Sequence, residues 1–122
     1  MTLKYHKTLT IEKWSLFPFS RQILMIANEL NRANKWIEKE DFNELKFCYE
    51  RAFELLYLTI QALAGEKPKN HQSFLLKEIL RFKEMLAYLY NKSTPSLEEN
   101  KRLLKTLLLL DKEAFRCSCI TP

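Results

Sequence analysis

The sequence predicts an all-α protein: an antiparallel up-down four-helix bundle with an N-terminal extension. Three observations carry this expectation. Apolar residues recur at helical spacing through four stretches of about twenty residues each. Short polar breaks separate the stretches, which favours antiparallel neighbours. A single Gly and four Pro in 122 residues leave little material for the turns of a β fold.

Each element has its own signals. Residues 1–19 form an arm or short helix in which Leu3, Tyr5, Ile11 and Trp14 cover one end of the bundle, and Pro18 breaks the chain before the first long helix. Helix one spans residues 20–39 with Ser20 as its cap, and Ile23, Ile26, Ala27, Leu30, Ala33 and Ile37 form its stripe. Asp41 caps helix two, residues 42–64, whose inner face holds Leu45, Tyr49, Ala52, Leu56, Thr59 and Leu63; Gly65 ends it. Helix three runs from His71 or Gln72 to Asn91 on a seam of Leu75, Ile79, Phe82, Leu86 and Leu89. Helix four is expected from Pro95 to about residue 115, with Thr94 as its cap and Glu98 and Glu99 in its first turn. The bundle then occupies 20–116 and residues 117–122 form a tail. Leu103, Leu104, Leu107, Leu108 and Leu110 give helix four a broad apolar side, and Leu109 lies off it. That surplus suggests a cover, either a second copy in a homodimer or a small protein partner.

Composition narrows the function. Hydrophobic residues make up 47% and charged residues 29% of the chain, as in a globular domain with a core. The net charge of +5 is spread along the chain and interrupted by acids, without the dense basic run of a dedicated nucleic-acid binder. The longest unbroken apolar run, Leu107 to Leu110, is far short of a membrane span. With Lys4, His6 and Lys7 in the first segment, no signal peptide is expected, and the location expected is cytoplasmic.

The residue types that carry chemistry are sparse. Glu50 and Glu54 stand one turn apart, but on the side of helix two away from the Ala52 and Leu56 stripe, so they read as surface acids balanced by Lys46 and Arg51. No Glu-x-x-His pair supports a carboxylate-bridged metal. Cys117 and Cys119 supply two of the four ligands that structural zinc needs, and no second pair or nearby His supplies the rest. Cys48 reads as a small core residue. No cofactor and no metal is expected, and familiar routes to catalysis each lack a part. One corner is receptive to anions: Lys67, Lys69 and His71 precede a helix start, whose free N–H groups suit nucleotide or RNA phosphate.

The segment YERAFELLYLTIQALAGEKPKNHQSFLLKEI, together with the upstream IEKEDFNELKFCYERA, resembles the HEPN domain family of small helical bundles over roughly residues 20–90. Ala52, Glu54, Gly65, Pro68 and His71 stand at matching places. The resemblance implies a bundle that pairs with a nucleotidyltransferase, or else a metal-independent ribonuclease. The ribonuclease branch carries an Arg followed four to six residues later by a His; Arg102 and Arg116 have no such His. A non-catalytic binding or accessory protein follows, with Arg51, Glu54, Lys67, Lys69 and His71 as its candidate binding residues. Two alternatives stand beside it: an RNA- or nucleotide-processing enzyme with an atypical site where Arg51, Glu54 and His71 converge, and an export or secretion chaperone that holds an amphipathic peptide.

Overall fold

Among the described residues, helix-period stripes and polar breaks resolve into six α-helices rather than four. The computed structural model describes residues 3–65 and 70–120, with the backbone alone at 70–72 and 118–120. The helices are α1 (Ile11–Ser15), α2 (Phe19–Glu38), α3 (Phe42–Ala64), α4 (Asn70–Tyr90), α5 (Leu97–Leu108) and α6 (Lys112–Ile120). No strand occurs among the described residues, and no described helix is long and apolar enough to cross a membrane.

The expected four-helix bundle is corrected at both ends, and in each case a short polar side chain is the cause. Thr10 accepts from the N–H of Lys13 at 3.1 Å and starts α1 inside the segment expected as an arm or short helix. Asp111 accepts from the N–H of Ala114 at 2.9 Å. A capping carboxylate at that point starts a new helix, so the single helix expected from Pro95 to residue 115 is two, α5 and α6.

Caps account for the other boundaries. Pro18 rather than Ser20 precedes α2, and it gives no side-chain hydrogen bond. Asp41 caps α3 as expected, accepting from Glu44. The α2–α3 reversal puts Glu40 at φ 55°. There the N–H groups of Glu40 and Asp41 reach back to the carbonyls of Ile37 and Trp36, a Schellman closure with Glu in the place glycine usually takes. Ser96, not Thr94, caps α5: its hydroxyl accepts from Glu99 N–H while the Glu99 carboxylate accepts from Ser96 N–H, a full capping box.

The predicted stripes are the core. Ile23, Ile26, Leu30 and Ala33 of α2, Leu45, Tyr49, Ala52 and Leu56 of α3, and Ile79, Phe82 and Leu86 of α4 are all buried. α2 is central, packing on α3 and α5 and touching α6. Leu103, Leu107, Leu108 and Ala114 are buried too, and Leu104 and Leu110 pack against the same cluster. Breaking the helix at Asp111 therefore covers within the chain most of the leucine surface that suggested a second copy; Leu109 remains outside at 61% exposure.

Two buried polar networks set how the helices meet. The indole N–H of fully buried Trp14 donates to Thr59 at 2.9 Å, and Gln22 accepts from Thr59 while donating to the carbonyls of Trp14 and Phe17. This ties α1 to α2 and α3. Asn100 of α5 accepts from the Tyr49 hydroxyl at 2.7 Å and donates to the Leu30 carbonyl and to Asn34. Because Asn100 is fully buried, these bonds fix one position of α5 against α2 and α3.

Candidate functional site

The candidate residues of helix two lie where the N-terminal arm, residues 3–9, folds across α3. Glu54 Oε2 accepts from the backbone N–H of Lys4 at 2.8 Å and Tyr5 at 2.9 Å. Its Oε1 accepts from His6 N–H at 3.0 Å and lies 2.9 Å from His6 Nδ1. Three successive N–H groups aimed at one carboxylate make a small anion nest. The carboxylate is ionised in that setting and only accepts, so the imidazole proton sits on Nδ1. Leu3, buried to 7% exposure, anchors the same arm in the core.

Glu50, one turn earlier, accepts from the hydroxyl of Tyr5 and from that of Tyr90 on α4, the latter at 2.7 Å. Its two phenolic hydrogen bonds, Tyr5 first, hold the Glu50 carboxyl below the usual carboxylate range. The same bond pushes the Tyr5 phenol up to about 12, so it remains a donor. Burial pulls Glu54 upward, but the N–H groups of Tyr5 and His6, the His6 ring and Lys4 N–H outweigh it, and its carboxyl stays lowered.

Arg51 turns to the other flank. Its Nε donates to Glu29 Oε2 at 2.8 Å, and Arg32 takes Glu29 Oε1 at 2.5 Å. The Arg51 guanidinium also lies 5.8 Å from the centre of the Tyr5 ring. All six carboxylate oxygens of Glu29, Glu50 and Glu54 thus accept hydrogen bonds from the chain itself. The expectation that Glu50 and Glu54 are surface acids is corrected, because both are clasped by the arm. Sequence reasoning missed the arm as their partner and Glu29 as a buried acid, since the bonding pairs lie some 22 to 50 residues apart.

Arg51 and Glu54 therefore share one neighbourhood. Lys67 and Lys69 lie outside the described residues, as does the side chain of His71. The His71 backbone starts α4, whereas Tyr90, which reaches Glu50, ends it. The separation along the helix axis is roughly 28 Å at the α-helical rise. His71 is not brought together with Arg51 and Glu54. Among the described residues, no three His, Cys, Asp or Glu side chains group as metal ligands.

A second region was not singled out from the sequence. Between α4 and α5 runs an open cleft of about 380 Å³. Leu89 and Leu103 form its floor at 4% and 2% exposure, Met85 and Tyr88 line it, and Arg81, Glu84, Glu99 and Arg102 stand along its rim. One end is pinned by Lys92 Nζ, 2.7 Å from Glu99 Oε2. That contact and the Ser96 N–H pull the Glu99 carboxyl down to about 2. Met85 at 37% and Tyr88 at 64% exposure form the apolar part of the α4 wall. The available signal was local: positions 81, 85 and 88 share one face, adjacent to the buried seam.

No family model, no curated protein and no solved structure matches this chain.

Proposed function

We propose that this protein is a non-catalytic binding or accessory protein and that its α4–α5 cleft receives a protein partner. The observation that carries this reading is the cleft itself: an apolar floor, an exposed aromatic and a methionine, and a charged rim in one concavity. Interaction sites have this anatomy, with apolar anchors at the centre and polar groups around them. By contrast, the acids and hydroxyls around Arg51 and Glu54 are engaged with one another and with the arm, which suits a structural clasp. The partner is a different protein rather than a second copy, since most of the leucine surface of α5 is already covered by its own chain. The resemblance of residues 20–90 to HEPN domains supports a nucleotidyltransferase as the partner class. A cytoplasmic setting belongs to the same proposal, and the buried free thiol of Cys48 suits a reducing compartment.

The test is site-specific photocrosslinking in the source cells. Tyr88 is replaced by a photoreactive phenylalanine analogue, with Phe47, exposed on α3, replaced in parallel as the control. A discrete adduct at position 88 and none at 47 is expected. Equal labelling at both positions, or none at 88, would remove the cleft as the binding site.

A further inference from the structure

The hydrogen bonds of the clasp leave an open pocket beside them, and what stays free in it is aromatic surface. The pocket measures about 330 Å³, and four of its seven lining residues are aromatic: Tyr5 of the arm, Phe53 and Tyr57 of α3, and Tyr90 of α4. Glu50, Glu54 and Lys4 are its charged groups. We propose that this pocket is an organic-cation site whose ligand is a trimethylammonium group. It shares no residue with the α4–α5 cleft and is independent of what binds there.

The aromatic walls are held in place. The phenols of Tyr5 and Tyr90 are both tied to Glu50, and Phe53, Tyr57 and Tyr90 pack against the core. Phe53 and Tyr90 stand at 87° with ring centres 5.7 Å apart, as two adjoining walls of a box do. Ring faces carry negative charge density and attract cations. The chain's own lysines already respond to it: Lys4 Nζ lies 5.3 Å from the centre of Tyr5, and Lys46 Nζ lies 5.4 Å from that of Tyr90. Among the described residues, no cation takes the faces of Phe53 or Tyr57.

Charge sets the sign of the ligand. Glu50 and Glu54 outnumber Lys4 in the lining, and Arg51 is paired with Glu29 on the other flank. Hydrogen bonding sets its substitution. The two oxygens of Glu54 already accept from the N–H groups of Lys4, Tyr5 and His6 and from the His6 ring, which fills the roughly four sites that a carboxylate offers. Each oxygen of Glu50 already accepts from a phenol. A primary ammonium brings N–H donors that would lose water here without gaining enough acceptors. A trimethylammonium has no N–H and needs only the charge and the ring faces. The volume sits at the small end of small-molecule sites and leaves room for a short tail.

Isothermal titration calorimetry on the full chain tests this with three probes. They are choline, its uncharged isostere with a tert-butyl group in place of the trimethylammonium, and methylammonium. Choline is expected to bind at least about tenfold more tightly than either of the others. Its N-methyl proton signal should move upfield under the ring currents of the walls. Tyr57→Phe should hold the affinity within about twofold, whereas Tyr57→Leu, which keeps an apolar side chain and removes the ring, should lower it about fivefold or more. Lys4→Ala removes a competing cation and should raise it. Circular dichroism checks that each variant retains its helix content.

Equal binding of the isostere overturns the charge assignment, and equal binding of methylammonium overturns the methylation. Unchanged affinity in folded Tyr57→Leu puts the ligand elsewhere and overturns the site. A loss of affinity in Lys4→Ala would mean that Lys4 attracts the ligand and would overturn its sign. A peptide carrying trimethyl-lysine separates the sources: tighter binding than choline assigns a modified protein side chain, and equal or weaker binding assigns a soluble small molecule. Neither heat nor an N-methyl shift with choline at about 10 mM removes the site, while the position-88 adduct decides the docking reading separately.

Discussion

The N-terminal clasp on α3 and the cleft between α4 and α5 treat their side chains in opposite ways. The clasp is rich in groups that suggest chemistry, yet Glu54 is filled by the arm's own N–H groups and Glu50 by two phenols. The cleft is built from ordinary residues, yet Met85, Tyr88 and Arg102 face outward with no described hydrogen-bonding partner for the arginine head. A polar residue draws attention by type, but its availability is decided by what the rest of the chain donates to it. Free surface, rather than conspicuous chemistry, separates the binding region from the structural one.

That contrast can be broken in several places. The largest effect is expected where the cleft is fixed to the core. Asn100→Ala leaves the buried Tyr49 hydroxyl without its acceptor, removes the added bonds to the Leu30 carbonyl and Asn34, and should cost about 3 kcal/mol on the scale of unmade buried hydrogen bonds. Urea unfolding measures it; a loss below about 1 kcal/mol would mean that α5 is not held by this network.

Next comes the clasp. Glu54→Ala removes the acceptor of three backbone N–H groups and should cost on the order of 2 kcal/mol, mainly by freeing the arm. Trypsin should then cut rapidly at Lys4 and Lys7 while α2 and α3 stay protected. An arm equally resistant in the variant would show that Leu3 alone holds it.

Acid should reproduce part of that effect. The carboxyls of Glu50 and Glu54 both lie below their ordinary value of 4.5 in the folded chain. A lowered folded value means their contribution is complete above the unfolded value and is lost as pH falls through the folded one. Arm protection, followed by hydrogen exchange at Tyr5 and His6, should therefore be constant at neutral pH and decline only below about 4.5. Release centred near neutral pH would contradict this origin.

The smallest effect is expected in the cleft. Met85→Ala and Tyr88→Ala should each change stability by no more than about 0.5 kcal/mol, as exposed sites do. A cost of 2 kcal/mol or more at Tyr88 would make the cleft part of the fold and erase the contrast.

Much of the helical core was legible in advance because a helix face repeats locally. Ile23, Ile26 and Leu30, or Ile79, Phe82 and Leu86, are buried where their spacing puts them. The division at Asp111 was harder to read, since LLLLDKEAF continues the apolar period and only the carboxylate cap interrupts it. Of the candidate site, Arg51 and Glu54 proved to be neighbours, but the residues that engage them were hidden. Glu29, Tyr5, His6 and Tyr90 come from other segments, and no local pattern links them.

By itself the sequence determined the all-helical class, the stripes that become the core, the Asp41 cap and the lack of a membrane-length apolar run, because each depends on residues within a few turns. Only the tertiary structure decided that the described residues form six helices, that the arm engages Glu50 and Glu54, and that α4 and α5 stand apart over an apolar floor. Those outcomes depend on hydrogen bonds and packing between distant segments, whose energies exist only once the chain has brought them together.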